Sequence, residues 1–200
     1  MRIGLDYDGT IANANLVKSS WIRKNLNIHI PNWCTDRTSC IRELSKYMDP
    51  EKARKVYNNM TTFIYTGDYG AAAPEIEGAL DGIRKLAASH EVVLVTAREE
   101  KKMPSCRKWL QSNGVLQYFS RLHSSGTPDK EEGRVLSKAE ICGKYNVDVL
   151  VDDDERHLAK IDVQGLKRIL IKNGAAQKPR MNGIYVASSF NEVVEEIYRL

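Results

Sequence analysis

At 200 residues, with 42% apolar and 28% charged residues, the chain has the size and composition of a soluble domain able to bury a proper core. The net charge of +4 is mild and no long Lys/Arg tract occurs, so a nucleic-acid polymer is not expected as partner, while the slight positive balance suits a small anionic substrate. No run is apolar enough for a membrane-spanning helix, no leader precedes the first strand, and Cys34, Cys40, Cys106 and Cys142 form neither a CxxC pair nor a zinc-like set, so reduced thiols in a cytoplasmic, membrane-free protein are expected.

The chain opens on a short apolar run that reads as a buried strand and ends in Asp6-Tyr7-Asp8-Gly9-Thr10. Helical periodicity follows over about residues 14 to 66. Val17 with Trp21 and Ile22 with Leu26 stand at i, i+4, and Ile41, Leu44 and Met48 mark a second helix. Asp49-Pro50 reads as a cap and first position of a third helix, whose apolar face is Ala53, Val56, Tyr57 and Met60. Gly67, Gly70 and Pro74 form a breaker-rich connection, and Ile76, Leu80, Ile83 and Leu86 an amphipathic stripe. Val92-Val93-Leu94-Val95 is a strand buried on both faces. A helix carrying Cys106, Trp109 and Leu110 stops near Gly114, and residues 124 to 136 read as a surface loop. Ser137 and Glu140 make a capping box that puts Lys138 in a first helical turn. Val147–Val151, Arg168–Ile171 and Ile184–Ala187 are strand candidates, and Ser189 with Glu192 opens the last helix. Strands alternating with helices predict an α/β fold, a doubly wound parallel sheet, with the 14-to-66 region a helical insertion after the first strand.

Three of these strands end in chemistry: Asp6 and Asp8; Thr96-Ala97-Arg98; and Asp152-Asp153-Asp154. A parallel sheet places all such ends along one edge. Of two neighbouring carboxylates one can attack while the other moves a proton, and both can help hold a cation. Gly9 lets the chain turn sharply and approach a ligand. Acids crowded in one site repel, and a hard divalent cation with oxygen ligands, Mg²⁺, resolves that repulsion.

The set resembles the haloacid dehalogenase superfamily: DYDGT at 6–10, VVLVTAR at 92–98, Lys138, and VLVDDD at 149–154 stand in the family's order and at compatible spacing. The resemblance implies a Rossmann-like core over 1–13 and 67–200 and a small helical cap over 14–66 that closes over the site and selects the leaving group. It implies Asp6 as nucleophile, forming an aspartyl-phosphate, and Asp8 as the acid and base that protonates the leaving oxygen and then activates water. Thr96 would bond a phosphoryl oxygen, and Lys138 would pair with nucleophile and phosphate. Gly9, Thr10, Ala97 and Arg98 join the substrate-binding set. Asp6, Asp8 and Asp153 would hold Mg²⁺, with Asp152 as a supporting ligand or lysine partner. An aspartate at position 8 points to phosphoester chemistry rather than carbon–halogen cleavage. The segments from Pro74 to Arg98 and from Lys138 to Asp153 resemble the 5′(3′)-deoxyribonucleotidase-like branch, which makes nucleoside monophosphates the first substrate guess.

Other readings stay open. The same aspartate pair serves a phosphosugar mutase, and a catalytically silent module could keep the pocket to bind a phosphate ligand. Arg98 is either a substrate contact or the partner of Glu99 or a surface acid. Trp21, Trp33, Phe63, Tyr65 and Tyr69 are assigned to the insertion's core, His157 to the surface, and Lys18, Arg23 and Lys24 to a charged helix face rather than to a second anion.

Overall fold

A computed structural model describes residues 1–66, 70, 72–129, 131–172 and 183–200. Strands β1 (Arg2–Leu5), β2 (Glu91–Thr96), β3 (Phe119–Ser124), β4 (Val149–Asp152), β5 (Lys167–Ile171) and β6 (Ile184–Ala187) form one sheet in the order β3-β2-β1-β4-β5-β6. Every neighbouring pair is parallel. Helices α1 (Ala14–Leu26), α2 (Arg37–Leu44) and α3 (Pro50–Thr66) follow β1; α4 (Ala79–Ala87) precedes β2; and α5 (Met103–Ser112), α6 (Lys138–Lys144), α7 (Glu155–Ala159) and α8 (Phe190–Arg199) come later in the chain.

Strand alternation sorts the core onto two faces. Ile3, Leu5, Val92, Leu94, Val149 and Val151 face one layer with Ile83, Trp109 and Phe190, and the same apolar cluster continues into Ile22, Leu44 and Met60 of α1–α3. Val93, Val95, Leu150 and Leu170 face the other, with Ile141, Leu158 and Ile161. Gly4 sits at the centre of that second face, where a Cβ would lie 3.1 Å from both Leu150 and Val147. The missing side chain lets these residues close over β1.

Local signals set several boundaries as predicted. Asp49 Oδ1 accepts from the backbone N–H groups of Glu51 and Lys52 ahead of Pro50. Ser137 and Glu140 form the full reciprocal box at the start of α6. At α8 only half of the expected box exists: Ser189 caps Glu192, but the Glu192 carboxylate turns to Ser188. The second helix ends at Leu44, short of Met48. Strand β3 was not legible, because of its six residues only Phe119 is buried and the rest of FSRLHS is polar or part-exposed edge. Gly67 and Tyr69 lie outside the described residues.

The order of the sheet fixes the site. Successive strands wind outward in one direction from β1 to β3 and in the other from β4 to β6, so the direction reverses between the adjacent strands β1 and β4. A crevice opens at the carboxyl ends on either side of such a reversal. The backbone N–H of Asp6 donates to the Val151 carbonyl, continuing the pairing one residue past β1.

Candidate active site

Asp6 leaves β1 directly into this crevice and is buried. Lys138 arrives from the first turn of α6, and its Nζ donates to Asp6 Oδ1 at 2.7 Å and to Asp152 Oδ2 at 2.6 Å. Each of these side chains is under a tenth exposed, so the ammonium is sandwiched between two carboxylates out of water. Asp152 is fully enclosed; its other oxygen accepts from the Asp154 N–H at 2.9 Å, and His157 Nδ1 stands 3.4 Å away. Desolvation would raise the Asp152 carboxyl, but Lys138 and the His157 hydrogen bond overcome it and bring it to about 2.

Asp6 behaves differently. Burial pushes its carboxyl up, Lys138 pulls it back, Asp152 and Asp8 push again, and the balance stands at about 6. Asp153 is half-buried, and its hydrogen bond is a 3.3 Å contact from Asn15 Nδ2. Desolvation, then Asp152 and Asp6, hold its carboxyl well above the usual range. Oxygens of Asp6, Asp152 and Asp153 lie within 4.8 Å of one another. Lys138 alone does not neutralise three carboxylates, and an all-oxygen donor set with excess negative charge suits a hard divalent cation such as Mg²⁺. Asp6 and Asp153 are the residues free to face that ion; both Asp152 oxygens already have partners.

The turn after Asp6 is built for this approach. Tyr7 O accepts from the N–H groups of Ile11 and Ala12, and Gly9 adopts φ +84°, the left-handed region that favours glycine. A Cβ at Gly9 would collide with the Asp153 carboxylate. Gly9 and Thr10 are buried beneath the cavity rather than lining it. Thr10 Oγ1 is enclosed without a hydrogen-bond partner.

Asp8 does not join the metal-capable cluster. Its carboxylate faces Arg98, which donates from Nε to Oδ2 and from Nη2 to Oδ1, both at 2.8 Å. The Arg98 guanidinium lies between the rings of Tyr7 and Tyr65, 4.5 and 4.2 Å from their centroids. Its Nη1 donates to Ser105 Oγ at 3.0 Å, and Ser105 in turn donates to the Tyr65 carbonyl. Burial would raise the Asp8 carboxyl, but Arg98 outweighs it and holds the group below its ordinary value. Arg98 pairs with neither Glu99 nor solvent. Thr96 ends β2 nearly enclosed, with Oγ1 accepting from the Arg98 N–H, and Ala97 is exposed on the cavity wall.

A cavity of about 960 Å³ opens above Asp6, Asp8, Thr96 and Asp153, with walls from α1 and α3. Sequence reasoning misplaced several of its residues. Lys18 is buried and lines it, while Arg23 and Lys24 are exposed on the same helix. Trp33, assigned to the core, is 78% exposed at the rim, and Phe63 is exposed as well. Tyr65 packs partly on the core and on Arg98, and Trp21 packs on the core without reaching the cavity. His157 is a partner of Asp152 rather than a plain surface residue. No periodicity distinguishes Lys18 from its neighbours; the pairing of α1 with α3 decides it.

The four cysteines are free and buried, and among the described residues no helix is long and apolar enough to cross a membrane. No protein-family model and no curated protein matches the chain. Solved structures do. A haloacid dehalogenase-like family hydrolase from Streptococcus pneumoniae superposes with a TM-score of 0.63 at 14% identity, covering 98% of this chain and 97% of its own. YfnB from Bacillus subtilis, bound to magnesium, gives 0.60 at 14% identity, with 98% and 97% covered. A HAD family hydrolase from Deinococcus radiodurans, with bound phosphate and sodium, gives 0.60 at 12% identity, with 99% and 95% covered. Likeness along the whole length at this identity establishes architecture: the chain is built on the α/β fold of the haloacid dehalogenase-like hydrolases.

Proposed function

We propose that the chain is a Mg²⁺-dependent phosphomonoesterase acting through an aspartyl-phosphate on a small soluble phosphorylated metabolite. The observation that carries this reading is the buried Asp6–Lys138–Asp152 array with Asp153 facing it across Gly9. A structural ion pair has no use for a third, uncompensated carboxylate. The magnesium on one structural neighbour and the phosphate on another agree with it.

In this reading Asp6 Oδ attacks phosphorus while the ester oxygen leaves, and the acyl phosphate so formed is then hydrolysed. Lys138 holds the nucleophile in place and meets the phosphoryl charge, and Thr96 offers a hydroxyl to a phosphoryl oxygen. Bound Mg²⁺ would neutralise the repulsion between the nucleophile and the phosphate it attacks. Asp8 delivers a proton to the leaving oxygen and takes one from the incoming water. Paired with Arg98 it is ionised and ready for the water step; the acid step requires that the Arg98 pairing loosen when substrate enters. Residues 14–66 act as the cap that shapes the leaving-group side of the cavity, and residues 1–13 and 67–200 form the core that carries the chemistry. Nucleoside monophosphates are the first substrates to test.

The test is phosphate release from a panel of monoesters with and without Mg²⁺, with Asp6→Asn as control. Metal-dependent release that the variant loses is expected. No release from any monoester by folded, magnesium-loaded protein overturns the reading.

A further inference from the structure

The cavity walls hold several cations, and more than half of them are answered by ion pairs. Arg98 is paired with Asp8, Arg156 with Asp154 and Asp36, and Lys102 with Glu99. Among the described residues Arg37, Lys172 and Lys18 line the cavity without an ion pair, and of these Lys18 is the buried one, Arg37 being exposed and Lys172 part-exposed. Lys18 is 6% exposed, it lines the cavity, and among the described residues no carboxylate lies within 4.0 Å of its Nζ. The Nζ stands 5.7 Å from the Tyr65 ring centroid and hydrogen-bonds that side chain, while Asp8 and Asp153 act on its charge only from beyond ion-pair distance. Removing an ammonium from water is costly unless a counter-charge replaces the lost hydration.

The position of Lys18 identifies where that counter-charge belongs. At the sheet edge the phosphoryl group would meet Lys138 and Thr96. Lys18 instead comes from α1, on the Asp8 and Asp153 side of the site, and is the one cation that α1 and α3 contribute to the lining. Tyr57 and Tyr65, uncharged at neutral pH, stand beside it, and Asn58 and Thr61 of the same helix line the cavity with them. The Thr61 hydroxyl is already given to the carbonyls of Tyr57 and Asn58. At about 960 Å³ the cavity has room for a leaving group beyond the phosphate.

We propose that Lys18 is the recognition site for a second anionic group, a carboxylate or a second phosphoryl, carried on the leaving group of the substrate. This rests on the phosphomonoesterase reading and narrows its substrate class to metabolites that carry a second anionic group besides the phosphate ester.

Phosphonates separate the two ideas, because their carbon–phosphorus bond survives the site and binding is read without turnover. Titration calorimetry on the magnesium-loaded protein compares ethylphosphonate, phosphonopropionate and propylene bisphosphonate. The expected result is that at least one of the two ligands with a second anionic group binds about tenfold more tightly than ethylphosphonate, as for one charge-assisted contact. Which one gains tells a carboxylate site from a phosphoryl site. Lys18→Met should erase the preference and Lys18→Arg should keep it. Equal affinities in the unmodified protein, or no binding of any of the three, overturn the inference, whether or not the variants fold. So does Lys18→Met weakening all three alike, since Lys18 would then serve the shared phosphonate. The preference without any monoester hydrolysis would sink the phosphatase reading and leave the anion site standing.

Discussion

Asp8 and Arg98 are 90 residues apart in sequence and meet through a two-pronged contact in which both carboxylate oxygens accept from one guanidinium. Arg98 is almost wholly enclosed and Asp8 about one-fifth exposed, so the pair belongs to the interior. Tyr7 and Tyr65 flank the guanidinium, which ties the end of β2 to the turn after β1 and to α3.

Arg98→Met therefore leaves Asp8 without its counter-ion. We expect a stability loss of about 3 kcal/mol in urea unfolding, at the low end of what removing one partner of a buried pair costs. Adding Asp8→Asn should recover part of it, and a double-mutant cycle measures the coupling. Additive effects would mean that the contact contributes nothing.

Asp153→Asn removes one charge from a crowded acid cluster. The metal-free protein should melt at the same temperature or higher, because like-charge repulsion falls. Magnesium at about 100 times its dissociation constant stabilises a native site by about 2.7 kcal/mol, and that increment should disappear in the variant. Thermal unfolding with magnesium and with a chelator measures both.

Gly9→Ala places a methyl against the Asp153 carboxylate at a backbone angle of φ +84°. The left-handed conformation alone costs about 1–2 kcal/mol in an L-residue. Displacement of Asp153 should also weaken magnesium binding, so the variant is expected to lose turnover more than its melting point suggests. Unchanged magnesium affinity would contradict this.

Trp21→Ala separates core from substrate contact. Trp21 is part-buried against the apolar cluster and does not line the cavity. Its loss should cost less than the about 3–5 kcal/mol of a fully buried aromatic, with KM unchanged across leaving groups. Trp109→Ala should cost the full amount. That ring is 1% exposed, stands edge-on to Tyr7 and donates to the Ala73 carbonyl at 2.6 Å.

The strands β1, β2 and β4 were readable because a strand buried on both faces is a continuous apolar run, and the polar residue that ends each run is itself the site residue. Caps placed Lys138 in a first turn by local hydrogen bonding alone. From these the sequence by itself determined the α/β class, the gathering of Asp6, Thr96, Lys138 and Asp153 at one sheet edge, and the run of helices after the first strand. What it did not determine depends on which surfaces meet. Edge strand β3 carries too little buried area to leave an apolar signature. The pairing of Asp8 with Arg98, the burial of Lys18 and the exposure of Trp33 are set by how α1 and α3 pack against the ends of β1 and β2. Those are contacts between distant segments, and periodicity within a segment reports which face is apolar but not what stands opposite it.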